Sequence, residues 1–256
     1  MRVALALALL LAAPAAAAPA RVASLNLCTD ELALLLAAPG QLMSVSRLGA
    51  DAHETTLAAR ARGLALNNGR LGDVLGLRPD LVLTMGAKPQ DVALAKAMGV
   101  RLLALPYPAS LADVAAQVRA MAGTLGREQA AAPWLAELAA LQASAPRPRA
   151  GLMLGGGGVA PASAGLAGQW LRLAGVMQQG GGTVALETLV AQPPPLLIMS
   201  QYRTDQLSRP QAWARHPALA ALPASTRRIS TDGRPWLCAG PALLPEIRRL
   251  RAAVAG

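Results

Sequence analysis

The chain reads as an α/β protein of two lobes, each built on a mainly parallel sheet, joined by one long connecting helix and leaving a cleft between them. Three observations predict this. A segment of one plan occurs twice, LGDVLGLRPDLVLTM over Leu71–Met85 and LETLVAQPPPLLIMS over Leu186–Ser200. Strand-like and helical stretches alternate along the rest of the chain, the pattern of parallel sheets. Between the copies, a helical stretch runs up to Pro146-Arg147-Pro148-Arg149, a strong boundary signal. Two lobes of similar plan enclose a cleft.

The elements follow in order. Arg21–Asn26 is strand-like and leads through Leu27-Cys28-Thr29-Asp30 into a helix over Glu31–Ala38, with Thr29 or Asp30 as its N-cap. A strand over Leu42–Ser46 opens into the polar loop Arg47–Glu54. In the first repeat copy, Leu71, Val74 and Leu75 are spaced as a helix, Pro79 ends it, and Leu81-Val82-Leu83 is apolar throughout, like a strand covered on both faces. A helix over Asp91–Gly99, a strand over Val100–Leu105 and a helix from Ser110 through Met121 complete the first lobe, with Asp113 placed for a near capping box. The connecting helix spans Gly126–Ser144, where Pro133 either kinks it or marks its start. The second lobe holds a strand over Ala150–Leu154, the loop Gly155–Gly158 and a helix over Leu166–Ala174. The second repeat copy, the loop Gln201–Arg209 and a last helix from Pro241 follow. The divisions are 1–20, 21–122, 123–146 and 147–256, the first being a secretory signal. Met1-Arg2 is its basic start, Val3–Ala13 its apolar core and Ala18-Pro19-Ala20 its cleavage site, so the protein is expected in the periplasm.

Composition excludes several functions. The formal charge is +10, carried almost wholly by arginine, yet there are only four Trp, two Tyr and no Phe to interleave with it, so nucleic-acid binding has no support. Gly155, Gly157 and Ala160 fit a dinucleotide turn, but no acidic residue stands between Glu137 and Glu187 to hold a ribose. The only histidines, His53 and His216, cannot build a three-histidine zinc site, and no nucleophile elbow is present. The sequence thus offers no catalytic set, no metal site and no resident cofactor.

Ligands of such sheets bind beyond the carboxyl ends of the strands. The loops there carry Asn26, Cys28, Thr29, Arg47, Asn67, Arg70, Met85 and Tyr107 in the first lobe. The second lobe adds Tyr202, Arg203, Arg234, Trp236 and Cys238 from its loops, and Trp170 from a helix. The arginines would pair with anionic groups of a ligand. Cys28 and Cys238, the only cysteines, fall one per lobe. They read as an interlobe disulfide in an oxidising compartment, or else as a thiol pair facing a ligand, or as unpaired structural residues.

RVASLNLCTDELALLL at 21–36, LGDVLGLRPDLVL at 71–83, SLADVAAQVRAMAGTLG at 110–126 and LETLVAQPPPLLIM at 186–199 together resemble one family. It is the helical-backbone (class III) periplasmic substrate-binding proteins that bring vitamin B12 and ferric siderophores to ABC importers. The resemblance implies a non-enzymatic, monomeric protein that delivers a metal chelate (a corrinoid, a ferric siderophore or haem) to a permease in the inner membrane. It also implies one acidic residue per lobe that docks on the permease: Glu187 in the second lobe, and in the first a position falling on Gly72, with Asp73 beside it. Asn67 and Met85 stand near where the family's B12 binder has tryptophans, leaving Tyr107, Trp170, Tyr202 and Trp236 as aromatic candidates. A periplasmic thiol-disulfide or metal-handling protein using Cys28 and Cys238 is the alternative, without the C-x-x-C spacing usual for it. A secreted interaction domain is another, which leaves the cleft unexplained.

Overall fold

The computed structural model describes residues 18–256, so the basic start and apolar core of the expected signal lie outside the described residues. Among the described residues no helix is long and apolar enough to cross a membrane. The first half runs β1 (Val22–Ser24), α1 (Leu27–Leu36), β2 (Leu42–Ser46), β3 (Ala65–Asn67), α2 (Leu71–Leu75), β4 (Leu81–Met85), α3 (Pro89–Ala97) and β5 (Arg101–Leu105). Two helices follow, α4 (Leu111–Leu125) and α5 (Glu128–Ala143). The second half holds β6 (Arg149–Leu154), β7 (Val159–Ala160), α6 (Leu166–Leu173), β8 (Val176–Gln178), β9 (Gly182–Thr183) and α7 (Leu186–Ala191). It closes with β10 (Leu196–Ser200), α8 (Arg209–Ala214), α9 (Pro217–Ala220), β11 (Arg227–Thr231) and α10 (Leu244–Ala255).

Two parallel sheets result, ordered β3-β2-β1-β4-β5 and β11-β10-β6-β8, beside a small antiparallel β7-β9 ribbon. The chain reverses its direction of sheet growth between β1 and β4 in the first sheet and between β6 and β10 in the second. Loops diverge at such points and leave a crevice at the carboxyl ends of the strands. The repeat copies form α2-β4 and α7-β10, each bordering a reversal point. Val82, Leu83, Leu197 and Ile198 are almost wholly buried, as central parallel strands require.

Several element expectations change. Helix α1 starts four residues earlier than the periodicity suggests, because Asn26 is its N-cap, with Oδ1 accepting from the Thr29 amide at 3.1 Å. Thr29 and Asp30 fall inside the first turn and are fully buried. Ser110 caps α4 as expected, accepting from the Asp113 amide at 3.1 Å, while Asp113 accepts from the Ala109 amide. Helix α5 neither starts at Pro133 nor stops there: it begins at Glu128, and the proline sits within it. The short strands β3, β8 and β11 carry no clear apolar period in the sequence.

The link between halves is broader than one helix. Leu111, Val114 and Ala115 of α4 pack in the second-lobe core with Trp170, Leu171 and Ile247, whereas Val118, Met121 and Leu125 of the same helix pack in the first-lobe core. Trp134 and Leu135 of α5 touch both cores. One apolar stripe on α4 therefore serves both lobes.

Two acids of α1 hold the loop after β2. Asp30 accepts from the Ser46 amide at 3.2 Å and from its hydroxyl. Gly49 packs so tightly on the Asp30 side chain that a Cβ there would overlap it. Glu31 Oε1 accepts from Thr55 Oγ1 at 2.7 Å, while its Oε2 is buried without a partner. Burial pushes the Asp30 carboxyl up to about 6; burial, then the neighbouring Asp30 charge, pushes Glu31 up to about 7. Folded-state values above the unfolded ones mean a contribution to stability that is complete below about pH 4 and lost as pH rises through 6–7. Glu31→Gln should therefore reduce the loss of stability between pH 5 and pH 8, by on the order of 2 kcal/mol. Urea unfolding of both proteins at the two pH values tests this; an equal loss in each would contradict it.

Candidate functional site

The lobes meet along a line of specific bonds. Cys28, in the first turn of α1, is joined by a disulfide to Cys238, in the turn after β11, with Cα atoms 5.3 Å apart. On one flank, Tyr202 Oη donates to Glu54 Oε2 at 2.9 Å, Arg203 Nε donates to Tyr202 Oη at 3.1 Å, and the Arg203 guanidinium pairs with Glu54 Oε1. Glu54 is only 6% exposed. Arg234 Nη1 reaches the Ala52 carbonyl at 2.8 Å in the same loop. On the other flank, Gln169 of α6 accepts from the Leu111 amide at 3.1 Å and donates to the Ala109 carbonyl at 3.4 Å. At the back, Trp134 Nε1 donates to the Pro241 carbonyl at 3.1 Å.

A polar concavity opens across this line, and an uncharged one lies beside it within the second lobe. The larger, roughly 620 Å³, is polar: Ala52 and His53 border it from the first lobe, and Arg203, Asp205, Asp232, Arg234, Glu246 and Arg249 from the second. Its charges are satisfied internally. Asp232 pairs with Arg234, and Glu246 with Arg249. His53 Nδ1 stands 3.7 Å from Asp205. Burial acts to raise the Asp232 carboxyl, but the hydrogen bonds and charge of Arg234, with the charge of Arg249, hold it below its ordinary value. The smaller concavity, roughly 320 Å³, is lined by Met153, Gly155, Val159, Tyr202, Trp236 and Leu237 among others, without a charged side chain. It sits where β6 and β10 diverge, at the reversal point of the second sheet.

The structure sorts the expected ligand residues. Thr29, Asn67, Met85 and Trp170 are corrections: each is less than 9% exposed and serves the interior. Thr29 Oγ1 bonds Ser24 Oγ at 2.8 Å. Asn67 Nδ2 donates to the Ser24 carbonyl and to Ser44 Oγ at 2.8 and 2.9 Å. Met85 packs in the first-lobe core, and Trp170 fills the second, its Nε1 donating to the Ala239 carbonyl at 2.7 Å. Asn26 is occupied as a helix cap. Arg203 and Arg234 are not free cations, because Glu54 and Asp232 already hold them. Arg47 is exposed and donates to Asn68 Oδ1 at 2.8 Å; Arg70 is exposed at the head of α2. Tyr107 is 74% exposed, whereas Trp236 is half-buried with Nε1 on Thr231 Oγ1 at 2.9 Å. Asp73 and Glu187 are exposed in the first turns of α2 and α7, and Asp73 accepts from the Asn68 amide at 2.8 Å.

Sequence reasoning missed Glu54, the acid that joins the lobes. It stands in a polar loop, where a carboxylate reads as solvated. It missed Gln169 for the same reason on an amphipathic helix.

No protein-family model matches the chain, and no curated protein is significantly similar to it. Solved structures are. A periplasmic heme-binding protein from Pseudomonas aeruginosa superposes at TM-score 0.64 with 21% identity, over 92% of each chain. The periplasmic heme-binding protein RhuT from Roseiflexus sp. RS-1, in apo form, gives 0.68 with 21% identity, over 91% of this chain and 97% of that one. The periplasmic vitamin B12-binding protein BtuF of Vibrio cholerae gives 0.62 with 17% identity, over 93% and 97%. At these identities the likeness establishes the fold: two α/β lobes spanning nearly the whole chain.

The ion pair across the lobes gives a direct prediction. Arg203→Ala leaves the Glu54 charge buried with only the Tyr202 hydroxyl, and should cost about 2–4 kcal/mol. Arg70→Ala, on an exposed residue, should change stability by under about 0.5 kcal/mol. Denaturant midpoints measure both; equal effects would contradict the assignment.

Proposed function

We propose that this chain is a periplasmic solute-binding protein, not an enzyme, that carries a metal chelate to an ABC importer. Candidate chelates are a corrinoid such as vitamin B12, a ferric siderophore and haem. The observation that carries the reading is the pairing of two parallel sheets, each with a reversal point, in lobes tied at one junction by the Cys28–Cys238 bond and the Glu54–Arg203 pair. The same fold covers more than nine-tenths of this chain in structures that bind heme or vitamin B12. Export is supported by the signal-like start. Cleavage after Ala20 leaves the new terminus at Arg21, whose nitrogen stands 3.1 Å from Asp80 Oδ1. A thiol-disulfide role is not favoured: the two cysteines lie 210 positions apart, one per lobe, without the C-x-x-C spacing usual for it. Among the described residues no three His, Cys, Asp or Glu side chains are grouped to hold a metal ion.

The ligand set narrows to residues that are partly accessible: Arg47, Arg70 and Tyr107 from the first lobe, Tyr202, Trp236 and Leu237 from the second. Docking on the permease falls to Glu187, in the first turn of α7, with Asp73 as its weaker counterpart on α2. A carboxylate at a helix start is favoured by the helix dipole.

Absorbance and mass of the material that copurifies from the native periplasm test the function directly. A corrinoid, haem or ferric-chelate spectrum is expected, and a protein that takes up none of these chelates when they are supplied would contradict it. Glu187→Ala should slow uptake while leaving affinity in solution unchanged. Wild-type transport by a folded Glu187→Ala variant would remove the docking role.

A further inference from the structure

A third concavity, of roughly 300 Å³, lies wholly within the second lobe, between β10 and the two short helices that follow it. Its floor is apolar. Leu197 and Met199 stand two apart on β10 and so leave the sheet on the same face. There Leu197 packs in one cluster with Leu219 of α9, and Met199 packs against that cluster. Leu197 and Leu219 are 1% and 9% exposed, so the floor is part of the core.

The rim is cationic. Arg228 of β11 stands opposite Leu197 in the parallel register, so its side chain leaves the sheet on the face that carries the floor. Its Nη2 donates to the Leu222 and Ala220 carbonyls at 2.6 and 3.3 Å, which holds the guanidinium at the end of α9. Arg215, at the end of α8, donates through Nη2 to the carbonyl of Thr204, another residue of the same concavity. A guanidinium carries five N–H donors, so both arginines keep donors free beyond these backbone bonds. Among the described residues neither makes an ion pair, and no Asp or Glu lines the concavity. The polar concavity between the lobes differs on this point, because Asp232 and Glu246 there already match Arg234 and Arg249.

Two uncompensated cations beside a buried apolar floor define their complement. Arginine takes a carboxylate through charge-assisted, often paired, hydrogen bonds. The floor rewards an apolar body that would otherwise face water. A volume of roughly 300 Å³ is at the lower end for ligand pockets and suits a small molecule rather than a macrocyclic chelate. We infer that this concavity is a second ligand site, for a small monoanion with an apolar tail, of which a medium-chain carboxylate is the simplest member. The carboxylate is held by Arg215 and Arg228, and the tail lies on Leu197, Met199 and Leu219. No first-lobe residue takes part, so the site is independent of any chelate held between the lobes.

Isothermal titration calorimetry of the purified protein tests this with three probes that separate charge from tail: octanoate, octan-1-ol and acetate. Octanoate should bind at one saturable site, and the other two more weakly by on the order of tenfold or more. Arg215→Gln should weaken octanoate by on the order of tenfold, through loss of one charged partner. Arg228→Gln should do the same; because Arg228 also supports the end of α9, melting temperatures of both variants are measured, and Arg215→Gln decides alone if the other does not fold. Arg209→Gln changes an exposed arginine outside the concavity and should bind octanoate as wild type does. Octan-1-ol binding as tightly as octanoate overturns the recognition of an anion. Wild-type octanoate affinity in folded Arg215→Gln puts the ligand elsewhere and overturns the site. An equal loss in Arg209→Gln shows an effect of overall charge and overturns it too. Absence of saturable octanoate binding to wild type overturns the inference outright.

Discussion

The junction between α1 and the turns after β10 and β11 is the constraint on which the rest depends. It consists of one covalent bond, Cys28–Cys238, and one buried charge pair, Glu54 with Arg203, reinforced by the Tyr202 hydroxyl. Neither lobe supplies both halves of either. A cross-link spanning 210 residues removes much of the freedom of the unfolded chain, worth about 5 kcal/mol in the loop-entropy description. The charge pair acts differently: Glu54 is nearly buried, and Arg203 supplies the partner that offsets the cost of holding its carboxylate away from water. Arg203 and Ala239 also hold left-handed backbone at φ +50° and +46°, a conformation that costs a non-glycine residue energy. Both stand beside a junction bond, Arg203 in the ion pair and Ala239 next to Cys238.

The junction is supported from within the first lobe by acids that face away from water. Asp30 and Glu31 fix the two ends of the loop at Ser46 and Thr55, and the loop presents Ala52 and Glu54 to the other lobe. The helix that carries these acids also carries Cys28. Helix α1 therefore ties together the disulfide and the ion-paired loop. The two concavities take their shape from the same arrangement. Where side chains pair across the lobes the surface is polar and internally neutral, and where β6 and β10 part it is apolar.

Much of the architecture was legible because it rests on periodicity. The repeated helix-turn-strand segments became α2-β4 and α7-β10, and the cysteine pair became the interlobe bond. Short elements were not legible: three-residue strands such as β3 and β8 are made by neighbours in the sheet, not by their own pattern. The candidate site was read less well. Asn67 and Met85 end strands, and Thr29 and Trp170 lie in helices, yet each turns inward to satisfy a buried hydrogen bond or fill a core. Asp30 read as a helix cap because an acid is ordinarily solvated, whereas Asn26, just before the first turn, took that role by accepting from the Thr29 amide. Glu54 carried no sequence signal, since its partners lie 148 and 149 residues away. Tyr107 was legible as an aromatic at a strand end, but its packing on Gly86 emerges only in three dimensions.

If the junction binds the lobes into one body, they unfold together. Scanning calorimetry of the oxidised protein near neutral pH tests this most directly. The account predicts a single transition in which calorimetric and van't Hoff enthalpies agree, moving to lower temperature when the disulfide is reduced. Two separate transitions in the oxidised protein, one for each lobe, would contradict it.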